Sequence, residues 1–472
     1  MMQKVIAFLY FWFLSAQLGP EQLGTYIWAL SLTTMFSIGI DLGLSPLLIR
    51  EAARDSGRAE RLLRGVVALK TMFGLVALVI LLTLVFFTRH DPVTLIVVSI
   101  AALVMIFDSF AMSFWGVLRS LQKIKYESTA LLIFHILVFA LGAYLLGIAQ
   151  SPISAIIALA TGSFAILVFA WVIVRFRFGV RTSPLFEHST LHALLRLLPA
   201  FAIAGIFMRL YNATDSVLLG YFVSNEAVGL YSIPAKAITA LQMLIPGAFL
   251  ASIYPAMSYY FVNSRQKLEQ LFERSVGYLI IIAFPITAGL LALIPKIIGT
   301  IWPEYVAVIP TFILMSFALP FLFLSFPTGY MLNAINHQRQ NTINRGVITA
   351  INISLNFALI PKLGVQGAGI AFLVSNIILV FLDFRNVHEV MPVVWIWLKK
   401  IIFKSAAASI LMGLILVTLR NSAPLVVLVL LGMVTYAVII LVLQIFTKAE
   451  ITFIKEIIQQ GNKRDIKPEE VV

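Results

Sequence analysis

The sequence predicts an all-α integral membrane protein with about fourteen membrane-spanning helices. Three observations lead to this prediction. Of the 472 residues, 61% are hydrophobic and only 12% are charged, which gives more apolar residues than the core of a soluble protein can hold. The apolar residues form long runs, and the basic residues fall in every second connection between those runs. The lipid bilayer is therefore the expected solvent for most of the chain.

Each long apolar run is predicted to be a helix, because a helix satisfies the hydrogen bonds of its own backbone in hydrocarbon. The predicted spans are 4–17, 25–49, 65–87, 93–116, 128–148, 152–174, 195–221, 228–260, 275–298, 306–332, 345–361, 365–384, 396–419 and 423–446. The first is shorter than a helix that crosses about 30 Å of hydrocarbon. It is either a span that lacks its beginning or one that thins the bilayer locally, with a signal peptide as the alternative.

The positions of Lys and Arg test this map, since basic residues cluster in the connections on one side of a membrane. One set of alternate connections, with the tail, receives most of them: Arg50, Arg54, Arg58, Arg61, Arg64, Arg119, Lys123, Lys125, Arg175, Arg177, Arg181, Arg265, Lys267, Arg274, Arg339, Arg345, Arg385, Lys399, Lys400, Lys404, Lys448, Lys455, Lys463, Arg464 and Lys467. The other set contains only Arg89, Lys296, Lys362 and Arg420. This alternation predicts an even number of spans in an inner or plasma membrane, with both termini cytoplasmic. It also explains the net charge of +13 without a nucleic-acid partner.

The connections are too short to fold as separate domains, and the longest runs from Arg175 to Leu195. A membrane glycosyltransferase or polymerase would need a long outer loop with paired carboxylates or a cluster of arginines. The sequence has no cysteine, no phosphate-binding loop, no metal-spaced cluster of His and acidic residues, and no nucleophile motif. We therefore predict a protein that is not an enzyme, with no catalytic residues and no metal site.

A weak internal repeat predicts the domain organisation. The segments 18–26 and 223–231 both contain Glu followed by an apolar residue, Gly, any residue and Tyr. They connect the first span to the second and the seventh to the eighth. The repeat predicts two six-helix lobes around a central cavity, 1–194 and 195–388, then two further spans within 389–446 and a cytoplasmic tail, 447–472.

Four stretches resemble one known family. They are LGPEQLGTYIWALSL after the first span, GIDLGLSPLLIREAAR at the end of the second, DSVLLGYFVSNEAVGLYSIPAKA across the seventh and eighth, and PKLGVQGAGIAFLVSN between the eleventh and twelfth. They resemble the polysaccharide-transport branch of the multidrug, oligosaccharidyl-lipid and polysaccharide flippase superfamily, which includes the Wzx-type O-antigen flippases. The resemblance covers almost the whole chain.

This resemblance implies fourteen helices and a transporter that works by alternating access. Its cargo would be a polyprenyl-pyrophosphate-linked oligosaccharide, carried from the cytoplasmic to the outer leaflet for cell-surface polysaccharide synthesis. Other membrane proteins of polysaccharide assembly are implied as partners, with no cofactor beyond a coupling ion, H⁺ or Na⁺. Two alternatives remain: a cation-coupled multidrug exporter, whose cavity is usually acidic, and a flippase of the peptidoglycan precursor lipid II.

Few ionisable residues fall inside the predicted spans, where each costs about 2.5 to 3.5 kcal/mol unless it faces a partner or a cavity. Arg209 and Lys236 are the candidates for substrate binding, because a cation attracts a pyrophosphate strongly where the dielectric is low. The alternative is structural, with Asp215 neutralising Arg209 or Lys236. Asp215 is therefore predicted to be an ion-pair partner rather than a ligand.

A second group of ionisable residues lies nearer the cytoplasmic ends of the spans. It consists of Asp41, Lys70 and Asp108. The favoured interpretation is a structural ion pair of Lys70 with Asp41 or Asp108. The alternative is a coupling site in which a carboxylate binds a proton or sodium ion.

Overall fold

A computed structural model of the protein describes residues 2–89, 91–391 and 395–444, and within these ranges the chain is helical with no β-strand. The predicted tail, 447–472, lies outside the described residues. The α-helices are α1 (Met2–Asp41), α2 (Leu44–Arg54), α3 (Ala59–Thr88), α4 (Pro92–Ser120), α5 (Ile124–Ile148), α6 (Pro152–Val172), α7 (His188–Phe222), α8 (Asn225–Gln242), α9 (Ala248–Asn263), α10 (Arg265–Ile301), α11 (Ile309–Ser316), α12 (Leu319–Ala334), α13 (Gln338–Leu363), α14 (Val365–Val390), α15 (Trp395–Leu419) and α16 (Leu425–Val442).

Helices α4, α6 and α8 begin at residues whose side chains cap them. Asp91 accepts hydrogen bonds from the first backbone N–H groups of α4, and Ser151 and Ser224 do the same for α6 and α8. Pro92 and Pro152 follow the first two of these caps, at a position where a missing N–H costs nothing. The predicted spans 93–116, 152–174 and 228–260 therefore begin close to their expected positions.

Eleven helices in the described residues are long and apolar enough to cross a membrane, or thirteen if two bent pairs each count as one span. The bent pairs are His188–Pro199 with Phe201–Phe222, at 62°, and Pro303–Ser316 with Leu319–Ala334, at 43°. Pro199 accounts for the first bend, because proline removes a backbone donor and clashes with the preceding turn. The protein is thus an α-helical, multi-pass membrane protein, while the count of fourteen stays a prediction.

Helix α1 contains two passes of the chain. Gly19 has φ 65° and ψ 175°, values that break the helix and that glycine adopts without strain. Before the break the helix packs along α5, where the rings of Tyr10 and Phe13 contact that of Phe139. The side chain of Gln150, just after α5, donates to Gln17 at 3.1 Å. After the break it runs back along α7, where Ser37 lies beside Arg209 at 2.8 Å. The first two predicted spans therefore form one hairpin.

The connections between helices lie at the two ends of the bundle, in the same two sets that the positions of the basic residues predict. At one end, called the basic face, Arg61 of α3 pairs with Glu187 of the connection before α7, and Arg265 donates to the backbone of Val390. At the other end, the opposite face, Trp302 donates to Ser15 at 2.6 Å and Asn225 to Thr25 at 3.0 Å. The contacts follow the predicted alternation.

The second predicted span, 25–49, ends earlier in the structure. Leu42 and Gly43 have positive φ values of 38° and 88°, so the span stops at Asp41 and α2 turns away as a separate helix. A Cβ on Gly43 would lie 2.7 Å from the backbone of Phe201, so this position also allows α2 and α7 to approach closely. Hydropathy missed the break because Leu47, Leu48 and Ile49 continue the apolar run.

The two copies of the repeat meet at the opposite face. A Cβ on Gly24 would lie 1.7 Å from the carbonyl oxygen of Asn225, and a Cβ on Gly229 would lie 1.8 Å from that of Pro20. The two glycines therefore allow α1 and α8 to cross in backbone contact. Helices α2 to α6 contact mainly α1 and one another, and α9 to α14 contact mainly one another, so α1–α6 are called the first half and α7–α14 the second half. Helix α7 contacts both halves, α15 packs against α10, and α16 packs against α15.

Gly24→Ala and Gly229→Ala are expected to lower the melting temperature of the purified protein in detergent. Each added methyl group overlaps backbone atoms that have no rotamer to change, and overpacking costs about 1–3 kcal/mol or more. Gly39→Ala, on the same helix as Gly24 and with open space around it, is the control and should melt like the parent. Equal melting temperatures for the Gly24 and Gly39 variants would contradict the described crossing.

Candidate functional site

A cavity of about 460 Å³ lies between α1, α4, α6, α7 and α8. Four charged side chains line it: Asp41 from α1, Asp108 from α4, Arg209 from α7 and Lys236 from α8. Between them α1 contributes a row of hydroxyl groups, at Ser31, Thr33, Thr34 and Ser37. The site therefore combines charges with hydroxyl groups, within the size range of small-ligand pockets.

Arg209 reaches from α7 across the cavity wall to α1. Its Nη1 donates to the carbonyl oxygen of Ser37 at 2.8 Å and to the Ser37 hydroxyl at 3.0 Å. Its Nη2 lies 3.5 Å from Oδ2 of Asp41, and the side chain is 29% exposed. Arg209 is thus held by α1 while part of its guanidinium faces the cavity.

Lys70 of α3 is the second cation at Asp41, and it is completely buried. Its Nζ lies 2.8 Å from Oδ1 of Asp41 and donates to the hydroxyl of Ser45 at 3.0 Å and the carbonyl oxygen of Ser109 at 2.8 Å. All three protons of the ammonium group therefore have acceptors. Of the two expected pairings for Lys70, the structure contains the one with Asp41.

One carboxylate thus faces two cations. The hydroxyl of Ser45 also donates to Oδ1 of Asp41 at 2.5 Å. Oδ1 therefore accepts from both Lys70 and Ser45, while Oδ2 faces Arg209. Lys70 already balances the charge of Asp41 at the shorter distance. Arg209 therefore brings a positive charge to the cavity that no second carboxylate compensates within salt-bridge distance in the described residues.

Lys236 and Asp108 face the cavity without an ion-pair partner. Both side chains are exposed to it, and none of the salt bridges among the described residues includes either. The ammonium group of Lys236 lies 6.0 Å from the centre of the Phe11 ring, at the outer limit of a cation–π contact. The structure thus brings Arg209 and Lys236 to one cavity, as expected for the substrate-binding candidates, together with Asp108.

Asp215 does not pair with Arg209 or Lys236, so that expectation was wrong. It accepts hydrogen bonds from the hydroxyl of Tyr231 and from Nδ2 of Asn356, both at 2.5 Å. Six residues along a helix turn a side chain by about 600°, which places Asp215 about 120° away from Arg209 around α7. Asp215 therefore points into the interface of α7, α8 and α13, away from the cavity.

Sequence reasoning also missed a polar interior in the second half of the chain. Asp383 of α14 is completely buried, lies 3.5 Å from Nη2 of Arg345, and accepts hydrogen bonds from Asn344 at 2.7 Å and Thr328 at 3.3 Å. One signal was available, because Asn344, Asn352 and Asn356 recur at helical spacing along α13, and all three are buried. A buried face of amides predicts hydrogen-bond partners on the neighbouring helices.

Asp383→Ala is expected to destabilise the protein by about 1–3 kcal/mol, because it leaves the buried amide of Asn344 without its acceptor, while the guanidinium of Arg345, which is 41% exposed, stays hydrated. Asp108→Ala is the matched control and should cost less than about 1 kcal/mol, because Asp108 faces the open cavity and has no ion pair among the described residues. Unfolding by SDS in mixed micelles measures both. Equal loss in the two variants would contradict the structural role of Asp383.

Comparisons with known proteins give both a family and curated relatives. Residues 1–261 match the family model described as "Polysaccharide biosynthesis protein". The probable flippase AglR of Haloferax volcanii is 31% identical over 246 residues, which are 49% of this chain and 50% of that protein. The probable low-salt glycan biosynthesis flippase Agl15 of the same organism is 26% identical over 177 residues, 37% of this chain and 36% of that protein. The matches thus span about half or less of the length of these relatives.

Solved structures share the fold at low sequence identity. The lipid II flippase MurJ, in an inward closed conformation, matches with a TM-score of 0.74 and 16% identity, over 94% of this chain and 97% of that chain. An inward-facing multidrug resistance transporter of the MATE family matches with a TM-score of 0.62 and 14% identity, over 82% of this chain and 94% of that chain. At these identities the likeness shows the fold alone. It confirms the predicted fold class, an all-α membrane protein, while the bounds of the two lobes stay a prediction.

Proposed function

Because the chain belongs to the polysaccharide biosynthesis protein family, we propose that it flips a polyprenyl-pyrophosphate-linked oligosaccharide across the membrane for the synthesis of a cell-surface polysaccharide. The flippase names of AglR and Agl15 support the transport step. The proposed membrane is the cell membrane, with the basic face and both termini in the cytoplasm, because basic connections are retained on that side. Other membrane proteins of polysaccharide assembly are the proposed partners.

The uncompensated positive charge of Arg209 is the observation that carries the proposal. A pyrophosphate is the anionic group common to all such lipid-linked glycans, and a guanidinium binds it through two parallel hydrogen bonds. Lys236 offers a second cation in the same cavity, and the hydroxyl row of α1 offers partners for sugar hydroxyl groups. We therefore assign Arg209 and Lys236 to the pyrophosphate and α1 to the first sugars.

Asp108 is the proposed coupling residue. It faces the same cavity without a cationic partner among the described ion pairs, so a proton or a sodium ion can reach it. Asp41 is less suited to this role, because Lys70 and Arg209 already compensate its charge. Asp108 is also the residue that a cation-coupled drug exporter would use, so the multidrug alternative depends on it.

Arg209→Ala is expected to abolish transport while Arg209→Lys retains part of it, because a charged hydrogen bond is worth about 1.5–3 kcal/mol, or about tenfold to a hundredfold. The measurement is complementation of a bacterium that lacks its own O-antigen flippase, read as restored long-chain surface polysaccharide. Arg177→Ala, which removes an exposed arginine at the basic face, is the control and should transport normally.

Two further strains separate the alternatives. A bacterium depleted of its lipid II flippase tests the peptidoglycan precursor as cargo, and a drug-sensitive strain tests export of cationic dyes. We expect rescue only in the O-antigen strain. If the Arg209→Ala variant rescues the strain as well as the parent protein does, Arg209 does not lie on the transport path. Dye export that depends on Asp108 would favour the multidrug alternative.

Asp108→Asn is expected to remove the stimulation of transport by an imposed proton or sodium gradient, because the amide no longer binds the ion. Proteoliposomes that contain the purified protein and a fluorescent lipid-linked glycan measure flipping with and without each gradient. Glu389→Gln, a 62% exposed carboxylate at the basic face, is the control and should keep the stimulation. An Asp108→Asn protein that still responds to either gradient would place the coupling residue elsewhere.

A further inference from the structure

Asp41 is shared by two cations that belong to different parts of the molecule. Lys70 lies on α3, in the same half of the chain as Asp41, and it is completely buried with its Nζ 2.8 Å from Asp41. Arg209 lies on α7, in the second half, and it is 29% exposed with its Nη2 3.5 Å from Asp41. The first contact is internal to one half of the protein, and the second connects the two halves.

We propose that Lys70 is a positioning residue that neutralises Asp41, so that Arg209 can exchange Asp41 for the pyrophosphate of a substrate in the cavity. This role rests on the proposed function and deepens it. A simple ion pair would only stabilise Lys70 and Asp41, whereas in this role Lys70 leaves the guanidinium of Arg209 available to the substrate.

When Arg209 moves to a substrate, Asp41 loses one of its two cations. A buried carboxylate that loses its only cation is strongly destabilised, so an anion would have to overcome this penalty to recruit Arg209. Lys70 and Ser45 continue to hold Asp41 after Arg209 has left, and the penalty is small. Without Lys70, Asp41 would retain Arg209, and the cavity would lose its uncompensated charge.

The exchange also acts on the contact between the two halves. The remaining bonds of Arg209 go to the hydroxyl and the carbonyl oxygen of Ser37 on α1, so the same guanidinium ties α7 to α1. A pyrophosphate that takes Arg209 away from Asp41 and Ser37 loosens this tie. Binding of the substrate thereby favours the relative movement of the halves that alternating access requires.

The test measures binding of undecaprenyl pyrophosphate to the purified full-length protein in detergent, with uncharged undecaprenol as the control ligand. Lys70→Met is expected to weaken binding about tenfold or more, by about 1.4 kcal/mol for each factor of ten. The double variant Lys70→Met with Asp41→Asn is expected to return within about threefold of the parent, because Arg209 no longer has a carboxylate to hold it. Binding of undecaprenol should not change in any variant.

Asp41→Asn alone distinguishes this role from a merely structural one. It leaves Lys70 without its carboxylate and should lower the melting temperature, while binding of undecaprenyl pyrophosphate tightens severalfold because Arg209 is released. Stability and affinity then move in opposite directions. If Lys70 were only structural, affinity would stay the same or fall with stability, and that result would overturn the proposal.

Three outcomes separate this inference from the function on which it rests. A parent protein whose binding needs Arg209 but is unchanged in Lys70→Met would overturn the positioning role and leave the proposed function standing. A parent protein that does not prefer the pyrophosphate over undecaprenol would overturn both. If Lys70→Met does not fold, the affinity of Asp41→Asn decides, with tightening in favour and no change or weakening against.

Discussion

The carboxylate of Asp41 is the group on which the charged interior of the protein depends. It lies where α1 ends, next to the backbone break at Leu42 and Gly43, so the turn that stops the helix also fixes the position of the charge. Lys70 could not stay buried without it, because an ammonium group in hydrocarbon needs a counter-ion. Arg209 lies 3.5 Å from the same carboxylate and donates to Ser37, so Asp41 also takes part in holding the guanidinium at the cavity wall.

A second constraint is the crossing of α1 and α8. Gly24 and Gly229 bring two helix backbones into contact at the opposite face, and Thr25 and Asn225 add a hydrogen bond beside them. The cavity begins immediately below this crossing, since Ile27 and Leu30 already line it. The two copies of the internal repeat thus contact each other next to one end of the cavity.

The sequence predicted most of the helices and an ion pair of Lys70 with Asp41 or Asp108, since both follow from the cost of polar groups in hydrocarbon, and the structure contains the pair with Asp41. It did not predict the break after Asp41, because hydropathy sums a run of residues and is insensitive to two positive φ angles within it. The partners of Asp215 were also missed. Asn356 and Tyr231 are uncharged, so a search for counter-ions passed over them, although a buried carboxylate is equally satisfied by strong donors.

The distribution of partners between the two halves explains why two cations of the cavity stay available for a substrate. In the second half, Asp215 is satisfied by a hydroxyl and an amide, and Asp383 is compensated by Arg345, so neither carboxylate draws on the cations of the cavity. In the first half, Asp41 is compensated by Lys70. Each buried carboxylate is thus balanced locally, and Arg209 and Lys236 remain to act on whatever enters. A carrier of a pyrophosphate needs this arrangement, because a cation that was the sole partner of a buried acid would leave that acid uncompensated each time it bound the substrate.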